Sequence, residues 1–201
     1  LTKGEMTVRR IFVGGSTAEV SGVGYAPEGT FSPAINDQSV HLLLKGGLLC
    51  SDAVLDQAEE RWFVKGDPTE GALVVLAVKA GLRQGETRLE CQRIEEFPFS
   101  SERKRMATIH KMENGKTVTF MKGAPEVVLE RCSSLLDGDT QRPLSDADRM
   151  SVLQANEEMA KDALRVIGVA YKELPEMEGY GEEFVERELV SQRDEPAAVV
   201  I

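Results

Sequence analysis

Cysteine and histidine are scarce in this chain. Cys50, Cys91 and Cys132 are the only cysteines among 201 residues, widely spaced and without a C-x-x-C pair. An odd, scattered set excludes a disulfide framework and a zinc site and fits a reducing compartment, where one surface thiol could still react. His41 and His110 are the sole imidazoles, too few for a histidine-rich metal centre. Neither H-E-x-x-H nor G-x-S-x-G occurs, so an independent hydrolase finds no support. His110, flanked by Ile109 and Lys111 in a β-type run, reads as structural or solvent-facing, and His41 reads the same way. The phosphate signature G-x-x-x-x-G-K-S/T is missing, and no G-x-G-x-x-G follows a strand. Gly14-Gly15-Ser16-Thr17 lacks the lysine and reads as a turn. No apolar run approaches the roughly 18 residues of a membrane span. Cations are outnumbered, 24 Lys+Arg against 34 Asp+Glu, for a net charge of −10. That balance argues against nucleic-acid or anionic-membrane partners and leaves room for a local basic pocket that takes a small anion. The chain opens on Leu1 without a signal-peptide pattern and reads as a piece of a longer protein.

The patterning predicts an α+β fold, a mainly antiparallel twisted sheet flanked by helices, in a single domain over 1–201. Met6–Val13 reads as a strand closed by Gly14-Gly15, and Ser16–Asp37 as a loop rich in Gly and Pro. Ser39–Cys50 reads as a helix despite Gly46-Gly47. Asp67-Pro68-Thr69-Glu70 has the makings of a helix start: a capping carboxylate, Pro at the first helical position, and Glu three residues after the cap. Leu73, Leu76, Ala77 and Ala80 continue it to Gly81. Ile94–Phe99, Met106–Lys111 and Thr117–Lys122 are β-type segments, with Asn114-Gly115 as a hairpin turn between the last two. A second helix is expected from Gly123-Ala124-Pro125-Glu126 to about Cys132, then an acidic loop at Asp137–Asp139. Ser145 with Asp148 makes a capping-box-like start for a helix over 147–163, and Val166–Tyr171 reads as a buried strand. From Glu173 to Glu195 nine acidic residues face Arg187 and Arg193, which predicts a mobile or short-helical solvated surface segment.

Four segments carry candidate chemistry. In K-G-D-P-T-E-G-A-L (65–73), free helix N–H groups, Thr69 and the Glu70 carboxylate share a helix mouth. A carboxylate there can accept an exocyclic amine such as the N6 of adenine. In F-P-F-S-S-E-R-K-R-M (97–106), an aromatic ring lies close to three consecutive cations. That combination is either a solvated turn or a kit for a purine nucleotide. Lys122-Gly123-Ala124-Pro125-Glu126 sets an ammonium beside bare backbone at a strand end. Arg165, just ahead of an apolar strand, packs on the surface or reaches a phosphate with its planar fork.

Taken together, in this order and at these separations, K-G-D-P-T-E-G-A-L, F-P-F-S-S-E-R-K-R-M and M-K-G-A-P-E closely resemble the nucleotide-binding domain of P-type cation-transporting ATPases. Leu1-Thr2-Lys3-Gly4-Glu5-Met6 resembles the tail of that family's phosphorylation motif, D-K-T-G-T-L-T. G-V-G-Y-A-P-E-G (22–29) resembles a segment of the type II pumps. The resemblance runs through Tyr171 and is less distinct in the acidic tail.

The resemblance implies an ATP site built without a P-loop. By similarity Phe99 stacks on adenine, with Phe97, placed on the same strand face by alternation, as the rival. Glu70 sits at the adenine edge with Thr69 beside it. Lys104 and Lys122 line the pocket, Lys122 deep against the base, and Gly123 allows close approach. Arg165 reaches the phosphates, while Met106 and Ile167 supply apolar wall. Arg103, Lys104, Arg105, Lys122 and Arg165 together would focus a positive field on an acidic body. The implied partners are ATP and the phosphorylation and actuator domains of the same polypeptide, with Mg²⁺ held mainly by the phosphorylation domain. No catalytic residue and no metal ligand is expected in this chain, which should bind ATP without turning it over. Residues 1–6 and the extreme C-terminus would be junctions, in a cytoplasmic domain of a membrane pump. His-Pro occurs nowhere, which speaks against the heavy-metal branch, and a bacterial calcium-type pump is the first expectation for the ion. The rival functions are a freestanding nucleotide-sensing module and an interaction domain without nucleotide binding.

Overall fold

In the computed structural model, residues 4–13, 16–34, 38–137, 140–161, 164–192 and 197–200 are described. The chain runs β1 (Arg10–Val13), β2 (Ser16–Val20), β3 (Phe31–Ser32), α1 (Gln38–Leu49), β4 (Val54–Ala58), β5 (Arg61–Lys65), α2 (Pro68–Lys79) and α3 (Gln84–Glu90). It continues through β6 (Cys91–Ser100), β7 (Arg105–Met112), β8 (Thr117–Gly123), α4 (Pro125–Arg131), β9 (Cys132–Asp137), β10 (Thr140–Pro143) and α5 (Asp146–Lys161). The last elements are β11 (Val166–Leu174), α6 (Glu182–Val185), β12 (Leu189–Gln192) and β13 (Ala197–Val200). Among the described residues eleven strands form one sheet, and β4 and β5 form a separate hairpin. Every pairing in the large sheet is antiparallel except β12 with β9. The expected α+β class, a mainly antiparallel sheet flanked by helices, is what the chain forms.

The four longest strands form the ladder β6–β7–β8–β11, which branches from the rest of the sheet at β11 and in which β8 is buried from Thr117 to Gly123. Alternation along β8 and β11 separates two faces. Phe120 and Val169 face α1 and α2 in the largest apolar cluster, together with Met106, Leu43, Leu48 and Leu73. Met121, Ala170 and Ala107 face the other way, onto Val128 of α4 and Leu189. Gly46 is explained by this packing: a Cβ there would stand 2.9 Å from both Phe120 and Val169. The glycine that weakens α1 as an isolated helix lets it lie flat on the sheet.

Several boundaries follow the sequence closely. Asp67 caps α2, its Oδ1 accepting from the backbone N–H of Thr69 at 2.8 Å and of Glu70 at 3.2 Å. Ser145 Oγ accepts from Asp148 N, and Asp148 Oδ2 accepts from Ser145 N, closing the box at the start of α5. Arg142 adds a fork of two 2.8 Å bonds and, with Ser145, holds the Asp148 carboxyl far below the usual range. Asn114-Gly115 turns β7 into β8, with Gly115 at φ +82°.

Other expectations need correction. The first strand begins at Arg10 rather than Met6, because Thr7 turns its hydroxyl to the Gly24 N–H and Met6 receives the Thr69 hydroxyl. On either side of the acidic loop stand two strands that went unread, β9 and β10, which pair antiparallel; β2 and β3 lie within the stretch read as a loop, and β4, β5 and α3 went unread altogether. The acidic segment is not simply a solvated face: Val185, Glu186 and Leu189 are buried, and β12 pairs into the sheet. All three cysteines are buried and free, so none is a surface thiol. Burial pushes Cys132 up to about 12 and raises Cys50 as well. The Gly14-Gly15 turn and residues 1–3, 138–139, 162–163 and 193–196 lie outside the described residues.

His110 is a core residue, 1% exposed, with its ring edge-on to Phe120. Nδ1 lies 3.1 Å from the Cys91 carbonyl and Nε2 lies 2.9 Å from Thr108 Oγ1. A neutral ring satisfies both, Nδ1–H donating and Nε2 accepting. Burial, helped by the nearby cations Arg93, Arg88 and Lys45, holds it down to about 4. Between pH 6.5 and 4 the unfolded chain therefore binds a proton that the folded chain refuses, and stability falls as pH falls. We expect urea unfolding to show a loss of about 2 kcal/mol between pH 7 and pH 5 from this group. His110→Gln should flatten that dependence; an unchanged slope would contradict it.

Candidate nucleotide-binding site

One face of the ladder ends in a cavity of about 620 Å³, within the range of small-molecule sites. Lys122 and Met106 are direct partners across β7 and β8, and Ile167 follows on β11. Beyond Phe120 the buried apolar face thus gives way to an ammonium. The start of α2 adds Asp67, Thr69, Glu70 and Leu73 to the lining, and Arg165 and Val166 line it as well. Thr69, Glu70, Phe99, Lys104, Met106, Lys122, Gly123, Arg165 and Ile167 all line this one cavity.

Glu70 does not complete a capping box. Its Oε2 accepts from Asp52 N at 2.8 Å and Ala53 N at 3.1 Å, while Oε1 accepts from Lys122 Nζ at 2.8 Å. Lys122 donates a second bond to Ser51 Oγ at 2.9 Å, and the Ser51 hydroxyl donates to Gly47 O at 2.7 Å. The pair is therefore locked by α1, α2 and β8 together. An ammonium has three donors and a carboxylate about four acceptor positions, so among the described residues Lys122 keeps one free donor and Glu70 one free acceptor. Ser51 and the N–H groups of Asp52 and Ala53 went unread in the sequence, since a lone Ser-Asp after an apolar helix has no distinctive pattern.

Arg165 donates from Nη1 to Thr69 Oγ1 at 3.0 Å, tying the start of β11 to the start of α2. Phe99 is 59% exposed at the cavity rim. Phe97 does not share its surroundings: it packs against Ala107 and Met121 and against Ile109 and Leu174. The cause is a bulge, since Phe97 pairs with Ala107 but Ser100 with Arg105, placing an extra residue on β6 and defeating strict alternation. Gly123 serves a close approach, but of protein. A Cβ there would meet the Lys104 carbonyl at 2.5 Å and Arg105 Cβ at 2.7 Å. Arg103 and Arg105 are not cavity cations, contrary to the expected cluster of five; both pair with Glu186, and the cavity's cations are Lys104, Lys122 and Arg165.

Antiparallel sheet, flanking helices and a cleft combining an aromatic rim with a Lys–Glu ion pair define a domain of the α+β class. A family model, P-type ATPase, cytoplasmic domain N, matches residues 39–195, and the chain belongs to that family. It is 38% identical over 183 residues to the cation-transporting ATPase pma1 of Synechocystis sp., covering 86% of this chain and 20% of that protein. The calcium-transporting ATPase of Bacillus subtilis is 32% identical over 191 residues, 89% of this chain and 21% of its own. The mouse calcium-transporting ATPase type 2C member 2 is 38% identical over 181 residues, 85% of this chain and 18% of its own. The chain thus spans about a fifth of the length of these relatives. Among the described residues no helix is long and apolar enough to cross a membrane.

Proposed function

We propose that this domain binds ATP in the 620 Å³ cavity and presents its γ-phosphate to an aspartate in the phosphorylation domain of a longer cation pump. The observation that carries the reading is the gathering of an exposed ring, a base-edge pair and separate cations on one cavity. Phe99 offers its face to adenine. The free acceptor of Glu70 takes the N6 amine and the free donor of Lys122 meets a ring nitrogen. Guanine would set a carbonyl oxygen against the Glu70 carboxylate, so adenine is preferred. Met106 and Ile167 exclude water from the base. Lys104 and Arg165 meet the phosphates, Arg165 from a position prearranged by Thr69.

Transfer moves the γ-phosphoryl group to a carboxylate oxygen with ADP as leaving group, and positioning supplies most of the protein's contribution. The sequence contains no D-K-T-G-T, so in our reading the isolated domain binds ATP without consuming it. Asp67 and Glu70 already accept N–H donors, so neither is assigned to a metal, and in our reading Mg²⁺ is held mainly by the phosphorylation domain. The names of the relatives support cation transport, calcium first.

Arg165→Ala tests the phosphate assignment. The side chain is exposed, so the fold should be untouched. By calorimetry, ATP affinity should fall by about 1.5–3 kcal/mol, the scale of a hydrogen bond to a charged group, while adenosine affinity stays within twofold. Equal losses for both ligands would remove Arg165 from the phosphates.

A further inference from the structure

Arg103 and Arg105 flank Lys104 in the turn joining β6 to β7, and both meet one carboxylate. Glu186 follows α6, 83 and 81 residues further along the chain, and its side chain has 0% exposure. Oε1 accepts from Arg103 Nη1 at 3.0 Å and Oε2 from Arg105 Nε at 2.6 Å. Glu182 joins from the solvent side, 2.8 Å from Arg103 Nη1 and 3.7 Å from Arg105 Nη2. Two cations and two anions leave the group neutral, which makes its burial tolerable.

One further guanidinium bond from each arginine grips the turn itself. Arg103 Nη2 donates to Pro98 O at 2.5 Å, immediately before Phe99, and Arg105 Nη1 donates to Arg103 O at 3.2 Å, immediately before Lys104. Lys104 between them sits at φ +51°, an unfavourable backbone for a residue with a Cβ. Its N–H donates to Ser100 O at 2.7 Å and its carbonyl accepts from Ala124 N at 3.0 Å. The two arginines thus lie on the Glu186 side while Phe99 and Lys104 line the cavity.

We propose that Glu186 is a positioning residue for nucleotide binding: acting through Arg103 and Arg105, it fixes the turn that presents Phe99 and Lys104 to the ligand. The inference rests on the ATP reading above. Glu186→Gln keeps the shape and removes the charge. ATP titration should show about a tenfold loss of affinity, the scale of coupling between contacting groups. The same substitution in a Phe99→Ala/Lys104→Ala background should change affinity less than twofold, read by NMR at millimolar ATP. Arg103→Gln, at the more exposed edge, should behave alike, and it carries the test if Glu186→Gln does not fold by circular dichroism. A folded variant with undiminished affinity, or an equal loss in both backgrounds as general loosening would give, overturns the proposal. Failure of the ATP reading is distinguishable: the unaltered domain would not bind ATP, or Phe99→Ala/Lys104→Ala would bind as well as it does, and both ideas would fall.

Discussion

Lys122→Met is expected to lose stability and ATP affinity together. Methionine matches the length of the lysine stem and leaves Glu70, 15% exposed, without its counter-charge. Two backbone N–H groups still reach Glu70, so the cost should sit near the lower end for a broken buried pair, about 3 kcal/mol. In a domain of this size that lowers the melting temperature by roughly 6–12 °C. ATP also loses a charged donor at the base edge, a further factor of about tenfold or more. Adding Glu70→Gln should recover most of the stability, because no unpaired charge remains, and none of the affinity. Urea unfolding and calorimetry on the unaltered domain and the two variants check this. A Lys122→Met domain as stable as the unaltered one would show that the pair is not coupled.

The aromatic pair should divide cleanly. Phe99→Ala should weaken ATP by about 1–3 kcal/mol, the scale of one base–aromatic stack, and leave stability within about 0.5 kcal/mol, because the ring is mostly solvent-exposed. Phe97→Ala should do the reverse. That ring bridges two apolar clusters, and removing it should cost about 2 kcal/mol, below the full core value since it is only half-buried. Affinity should survive in every Phe97→Ala molecule that remains folded. Interchanged phenotypes would mean that Phe97, not Phe99, meets the base.

The difference between these two rings marks where sequence reasoning stops. Short-range chemistry was legible: the Asp67-Pro68 cap, the Asn114-Gly115 turn and the Ser145–Asp148 box each involve residues within a few positions and a single physical cause. The cavity residues were legible because their segments form a distinctive ordered set. The bulge in β6 was not, since an extra residue changes no composition and merely reverses which side chain faces the cavity. Nor was the fate of Arg103 and Arg105, whose partner stands more than eighty residues away in a stretch whose acidity resembles a solvated surface. Glu70 illustrates the middle ground. Its place at the helix mouth followed from the motif, but its bonds to Asp52, Ala53 and Lys122 depend on how α1 and β8 meet α2.

The ATP-binding assignment is tested most directly by titrating the isotope-labelled domain with ATP, with and without Mg²⁺, while assaying phosphate in the same sample. Shifts are expected to concentrate at Glu70, Phe99, Lys104, Lys122 and Arg165, with no phosphate release. Shifts confined to other surfaces, or none at millimolar ATP, would contradict it.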